Sequence, residues 1–395
     1  MPWKECDKVS ERLKFIGRLL SGEKMTDVCL ELGISRVTGY KIWNRYKQEG
    51  LKAMNDRSSR PWRLANQTPA SIERAIVEIK RKYPTWGAPK ILAILEKQDK
   101  GVKLPARSTV HAILDRHGLV KRRRKNRLYK SKGTSLITVD SPNQLWCADF
   151  KGHFKMGNSN YCYPLTITDQ HSRYLISCEA LESAKEKNAV ETFKRVFEEY
   201  GMPNVIRTDN GVPFAARSLF GLSKLSILWL RLGIDIERIE PGHPEQNGRH
   251  ERMHKTLKEE VTRPPGRNLL QQQEMLDHFR IVFNNERPHE ALQMKCPAEV
   301  YQPSSKAYPK ILEEYNYSKF DFTKRVTKCG TIKLQGGRKI FISEIFGGQD
   351  VGIREIEDGI WSVTFMDFEL GYFSSDSTLF NPGINPFLPI INQNV

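Results

Sequence analysis

The sequence predicts a multidomain protein in which all-α helix-turn-helix modules precede a mixed α/β core and a small all-β barrel of the SH3-like kind. Three observations carry that expectation. A chain of 395 residues exceeds one ordinary domain. Charge is unevenly placed: residues 1–132 hold 32 Lys and Arg against 13 Asp and Glu, whereas the remainder holds 31 against 33. All of the net +17 thus originates in the first third, which suits a polyanion-binding segment joined to a near-neutral body. Finally, the hydrophobic period is helical early, mixed from Pro142, and broken into short Gly-punctuated strands towards the C-terminus.

The first module, expected over 1–55, reads as three helices. Glu11–Leu20 stops at Ser21-Gly22, and Thr26–Leu32 breaks at Gly33-Ile34-Ser35. Ser35 caps Arg36–Glu49, whose apolar positions are Val37, Tyr40, Ile42, Trp43 and Tyr46, and Gly50 ends it. A short helix, a tight turn and a longer helix make a helix-turn-helix. Its last helix offers Arg36, Thr38, Lys41, Asn44 and Arg45 to base edges and phosphates. A basic linker (56–67) leads to a second module (68–120) with helices Ser71–Arg81, Lys90–Lys97 and Thr109–His117, the last capped by Ser108. The linker 121–139 opens with Lys121, Arg122, Arg123 and Arg124, cations suited to clamping DNA phosphates.

The core, expected over 140–304, alternates strands (Gln144–Phe154, Tyr161–Thr168, Tyr174–Ala180, Asn204–Thr208, Ile234–Ile239) with helices (Lys185–Tyr200, Arg217–Leu232, Gln246–Glu260, Gln271–Asn284). The barrel, over 320–380, has strands at 331–334, 338–342, 350–356, 360–366 and 370–373, with Asp358-Gly359 as a hairpin turn.

Seven scattered cysteines without a CxxC pair argue against a disulfide framework and a structural zinc site, and suit a reducing cytoplasm. No apolar run reaches transmembrane length, and the first residues lack a signal-peptide apolar segment. The expected setting is the cytoplasm, with no membrane partner.

Three acids stand out in the core. Asp149 lies in an apolar strand, where a carboxylate needs a charge partner or a metal. Asp209 follows a strand and precedes Asn210-Gly211, and Glu251 lies inside a helix with Lys255 and Lys258 on the same face. Three such carboxylates can hold two divalent cations, which activate one oxygen and stabilise the leaving one in phosphoryl transfer. Each also has a plainer reading as a turn or surface residue. His243, His250 and His254 surround the third acid. DNA contact or orientation of Glu251 is the favoured reading for them, and a zinc cluster the alternative.

The blocks Leu145–Phe150, Arg207–Phe214, Pro241–Arg252 with Thr256-Leu257-Lys258, and Phe283–Leu292 with Pro297-Ala298 resemble the catalytic blocks of insertion-sequence transposases with a retroviral-integrase-type core. The resemblance implies an RNase H-like core, two Mg²⁺ (or Mn²⁺) ions, and Asp149, Asp209 and Glu251 as catalytic metal ligands. It further implies binding of terminal inverted repeats in double-stranded DNA, cleavage, and 3′-hydroxyl strand transfer into target DNA by a homodimer or higher oligomer. The 41 residues between Asp209 and Glu251 exceed the family's commonest interval, which leaves Glu240 and Glu245 as rivals for the third ligand. Helix-turn-helix modules stand where retroviral integrases carry a His/Cys zinc module. A catalytically silent DNA-binding regulator is the alternative function, and a nuclease that cuts without joining is a second.

Overall fold

The computed structural model describes residues 7–58, 67–98, 101–121, 138–240 and 243–387. Contacts divide the chain into two compact units, Met1–Pro69 and Ala70–Val395.

In the first unit, α1 (Lys8–Leu20), α2 (Met25–Glu31) and α3 (Arg36–Glu49) surround a core of Phe15, Ile16, Val28, Cys29, Ala53 and Met54. The Ser35 side chain accepts from the Thr38 amide at 3.2 Å, and Gly50, at φ 62°, terminates α3. Both signals were legible in the sequence. The packing face of α3 differs from the expected one. Val37 and Tyr40 are 80% and 53% exposed, and the buried position is Gly39. A Cβ on Gly39 would lie 2.5 Å from the Cys29 Sγ. Its absence lets α2 and α3 meet closely and turns Val37 and Tyr40 outward beside Arg36, Lys41 and Asn44.

The second unit opens with α4 (Ala70–Lys82), α5 (Ala88–Gln98) and α6 (Arg107–Arg116), packed through Ile72, Ile76, Ile91, Val110 and Leu114. The expected Ser108 cap is not used. Ala106 occupies the cap position without a side-chain bond, and Ser108 lies inside α6. Lys97 pairs with Glu299 at 2.7 Å, and Thr85 donates to Glu260 at 2.5 Å, so these helices rest on the α/β core.

That core is built from β1 (Leu145–Phe150), β2 (Phe154–Lys155), β3 (Tyr161–Asp169), β4 (Leu175–Leu181), α7 (Glu186–Tyr200), β5 (Val205–Thr208), α8 (Lys224–Arg231), β6 (Asp235–Arg238), α9 (Gly248–Val261) and α10 (Leu269–Ile281). The sheet runs β4-β3-β1-β5-β6, with the short β2 beside β3. Pairs β3/β4 and β1/β3 are antiparallel, while β1/β5 and β5/β6 are parallel. An antiparallel three-strand meander joined to two parallel strands is the RNase H-like topology. Trp146, Leu165, Ile167 and Ile206 on the sheet meet Phe193 and Phe197 of α7 and Trp229 of α8. The expected helix 217–232 is split, because Ser223 caps a separate α8 by accepting from the Ser226 amide at 3.1 Å. α10 continues into a π-turn, Val282–Glu286. There the Asn284 amide pairs with the backbone N–H and C=O of Leu175 on β4 at 2.8 and 2.9 Å.

The tail carries β7 (Phe322–Arg325), β8 (Thr331–Lys333), β9 (Lys339–Phe341), β10 (Asp350–Glu357), β11 (Ile360–Phe365), β12 (Phe368–Ser374) and β13 (Phe380–Pro382). The expected closed SH3-like barrel is not found. Among the described residues the sheet is open, in the order β13-β12-β11-β10-β7, and β8-β9 forms a separate hairpin. Closure is unnecessary, because other elements already cover the apolar face. Ile332 and Ile340 of the hairpin and Leu222, Ile227 and Leu230 around α8 join Val351, Ile353, Val363 and Phe365 in one cluster. Among the described residues no helix is long and apolar enough to cross a membrane.

Candidate active site

β1 carries Asp149 near its end, Asp209 stands directly after β5, and Glu251 lies in the first turn of α9. β1 and β5 are parallel neighbours, so their carboxyl ends bring the two aspartates to one edge of the sheet. Asp209 accepts from the Gly211 amide at 3.1 Å, and Asn210 donates to the Ile239 carbonyl at 2.8 Å, which fixes the turn. Burial pushes the Asp149 carboxyl up to about 7, and the charges of Asp209 and then Glu251 push in the same direction. Asp209 and Glu251 therefore both act on Asp149, although among the described residues the three acids do not form a group with ligand atoms within 4.8 Å of one another. Lys151 and Lys258 flank them: burial, followed by the charge of Lys258, holds the Lys151 ammonium below its usual range. Lys255 and Lys258 are exposed on α9, as expected.

Behind Asp149 lies a buried polar network. Thr166 Oγ donates to the Asp149 carbonyl at 3.0 Å, and His250 Nε2 and His254 Nε2 each lie 2.7 Å from the same oxygen. Thr168 Oγ meets His250 Nδ1 at 2.8 Å. A hydroxyl donates once and accepts twice, so both imidazoles donate from Nε2 to Thr166, and Thr168 donates to His250 Nδ1. Burial pushes His250 down to about 3 and also lowers His254, so both rings are neutral. This corrects two readings. Histidines 1% and 7% exposed are poorly placed for DNA contact, and His243 stands apart, exposed and 3.7 Å from Glu240. The donor group that does form is Asp149, His250 and His254, with ligand atoms within 4.8 Å of one another. Of these, His250 has both nitrogens committed to hydroxyls, which leaves His254 Nδ1 facing Asp149 Oδ2 at 3.6 Å. The donor chemistry left free at this edge is mainly carboxylate oxygen, which fits a hard divalent cation better than zinc. Thr166→Val strands two buried imidazole N–H groups and is expected to cost about 1–3 kcal/mol per group. Urea unfolding measures it, and a midpoint equal to the parent's contradicts the network.

The other predicted residues divide clearly. Arg36, Thr38, Lys41 and Asn44 are exposed on α3. Arg45 is instead tied down, donating to the Asn55 carbonyl with Glu49 at 3.8 Å, and so anchors the end of α3. Lys121 is exposed; Arg122, Arg123 and Arg124 lie outside the described residues. Of the rivals to Glu251, Glu240 is half-buried beside His243. The side chain of Glu245 lies outside the described residues.

Sequence reasoning missed Thr166, Thr168, Lys151 and Arg207. Arg207, 1% exposed, donates from Nε to Glu237 at 2.6 Å, and its Nη1 lies 3.5 Å from the Gln246 carbonyl. It links β5 and β6 to the segment that launches α9. An arginine inside the apolar strand Val205–Thr208 was the available signal.

Residues 139–244 and 232–297 match family models described as Integrase core domain. Residues 11–61 match a Helix-turn-helix domain and 38–114 a Homeodomain-like domain. The chain is thus similar to integrase cores over 139–297 and to helix-turn-helix DNA-binding domains over 11–114. More narrowly, it resembles insertion-sequence transposases. It is 22% identical over 226 residues to the insertion element IS407 uncharacterized 31.7 kDa protein of Burkholderia multivorans, covering 57% of this chain and 78% of that one. It is 24% identical over 237 residues to the IS476 uncharacterized 39.2 kDa protein of Xanthomonas euvesicatoria, 59% of this chain and 65% of that one. A Pol polyprotein of radiation murine leukemia virus is 33% identical over 125 residues, 31% of this chain and 20% of its own length. Among solved structures, the HTLV-2 integrase catalytic core domain in complex with magnesium aligns with TM-score 0.33 and 16% identity, covering 41% of this chain and 98% of that one.

Proposed function

We propose that the protein is a DNA transposase that binds the terminal inverted repeats of a mobile element, cuts at the element end and joins the freed 3′-hydroxyl to target DNA. The charges of Asp209 and Glu251 that reach the buried Asp149 at the carboxyl end of β1 support this reading, since a carboxylate crowded by like charges is relieved by a divalent cation. In the proposal these three residues hold Mg²⁺ or Mn²⁺, with two ions expected. A bound cation pair would supply an activated attacking oxygen and a stabilised leaving oxygen. The chain's own share is placement. β1 and β5 hold the aspartates rigidly, the Thr166–His250–His254 network ties α9 to β3 behind Asp149, and Lys151, Lys255 and Lys258 draw the phosphodiester in. Arg36, Thr38, Lys41 and Asn44 on α3 meet the repeat, with Lys121–Arg124 on backbone phosphates. Two ends must be held at once, so the working form is at least a homodimer.

The test is Mg²⁺-dependent cleavage and joining of a labelled duplex carrying the element's own terminus, with Asp209→Asn and Glu251→Gln alongside. Joined products from the parent alone support the reading. Binding without cleavage favours a silent regulator, and cleavage without joining a nuclease. An active Glu251→Gln protein moves the third ligand to Glu240 or Glu245.

A further inference from the structure

A second cationic feature lies on the other side of α9. A cavity of about 480 Å³ is lined by Lys90 of α5, Arg173 of the β3–β4 turn, Arg249 and Arg252 of α9, and Arg287 and His289 beyond α10. Arg249, Arg252, Met253 and Thr256, which face it, are spaced as one stripe of a helix; Glu251, Lys255 and Lys258 form the opposite stripe. The cavity thus opens on the stripe of α9 opposite Glu251, and Thr168 and His250 of the network behind Asp149 line its inner wall.

The nearby acids balance these cations only in part: Arg287 is paired with Glu260, while Lys90 and Arg173 have no such partner among the described residues. Asp169 accepts from the Asn143 amide, the Ser172 amide and the Ser172 hydroxyl at 2.7, 2.7 and 2.6 Å. Glu260 accepts from Arg287 at 2.7 Å. Lys90 and Arg173 have no carboxylate within 4.0 Å among the described residues. Burial, then the charge of Arg287, pushes Lys90 down to about 8, and burial, then the charge of Arg249, pushes Arg173 down to about 10. His289 Nε2 is buried with no hydrogen-bond partner among the described residues. Arg173 also holds φ 65°, a backbone region that favours glycine, so its turn tolerates strain while presenting a guanidinium to the cavity. Cations gathered at such cost, with forked N–H donors, match a tetrahedral oxyanion.

We propose that this cavity grips a backbone phosphate of the bound DNA, on the face of α9 opposite the carboxylates, where α5 of the second helical module meets the core. That the phosphate is DNA's rests on the DNA-binding part of the reading above, not on its strand transfer. A strand held there is clamped between the module that precedes the core and the helix that carries Glu251.

The test uses the full chain in EDTA, so that no cleavage contributes. Affinity for a fluorescent duplex of about 25 bp is measured from about 50 to 200 mM salt. Lys90→Gln/Arg173→Gln is compared with a control of equal charge change on the exposed face of α7, Lys187→Gln/Lys194→Gln. The pocket variant is expected to bind about 10-fold or more weakly near 100 mM salt, with a log–log salt slope shallower by about 1–2. The control and Lys90→Arg should stay within about threefold of the parent. Inorganic phosphate should raise the melting temperature of the parent and not of the pocket variant, whose circular dichroism reports its fold. Equal losses in pocket and control variants overturn the proposal. A phosphate effect lost without any change in salt slope overturns the DNA assignment, leaving a free-anion site. A parent that binds DNA through the pocket yet never joins ends would sink the transposase reading and keep this one.

Discussion

Asp149→Asn is expected to give a protein that is inactive yet more stable than the parent in EDTA above pH 7. The loss of activity follows from removing a ligand at the centre of the proposed cation site. A decrease in joining of about 10³-fold or more, on the order of 4 kcal/mol of barrier, is the expected scale. The gain in stability follows from the carboxyl's position. Its folded pKa, about 7, lies above the unfolded aspartate value of about 3.9. Between those values the folded state binds the extra proton. Stability tied to this group is therefore full below pH ~4 and lost as pH rises through about 7. The penalty above pH 7 is on the order of 2–4 kcal/mol, and the amide does not incur it. Thermal melts from pH 5 to 8 should show the variant's advantage growing with pH. Mg²⁺ should stabilise the parent more at pH 8 than at pH 6, because the carboxyl must lose its proton to bind. Retained joining, or a melting difference flat across pH, would count against the assignment.

The second large effect concerns the ion pair buried beneath the site. Glu237→Ala leaves the Arg207 guanidinium in the interior with an Nη2 that already lacks a partner. Breaking such a pair costs about 3–5 kcal/mol, most of it from the stranded charge. Replacing both partners, Arg207→Met with Glu237→Leu, should recover most of that loss, because the intact pair adds little beyond its own desolvation. Denaturant midpoints of the single and double variants measure it, and a double variant as unstable as the single refutes this account. The recovered protein should still join ends poorly. Arg207 Nη1 also reaches the Gln246 carbonyl, and without it the segment that launches α9 loses a tie to β5.

Much of this molecule was legible in local sequence. Helix α3 lies between the Ser35 cap and Gly50, where the sequence places it, because capping and chain reversal are decided within a few residues. The core strands were legible because buried parallel strands read as short apolar runs, and the three acids because each breaks or ends such a run. Ser108 misled, since a good capping residue is used only where the chain enters the helix. Val37 and Tyr40 misled for a related reason: periodicity counts apolar residues, whereas the close approach at Gly39 decides which stripe is covered.

Sequence by itself thus determined the order of domains, the placement of charge, most helix and strand positions, and the identity of the candidate carboxylates. All of these depend on contacts between near neighbours or on composition. Only the tertiary structure decided that the tail sheet stays open, because what covers its apolar face includes α8, about a hundred residues upstream. It also decided that His250 and His254 serve Thr166 and Thr168, and that Lys90, Arg173, Arg249 and Arg287 share one cavity. Burial of a polar group is set by what packs over it from elsewhere in the chain, and so are its hydrogen bonds and charge state.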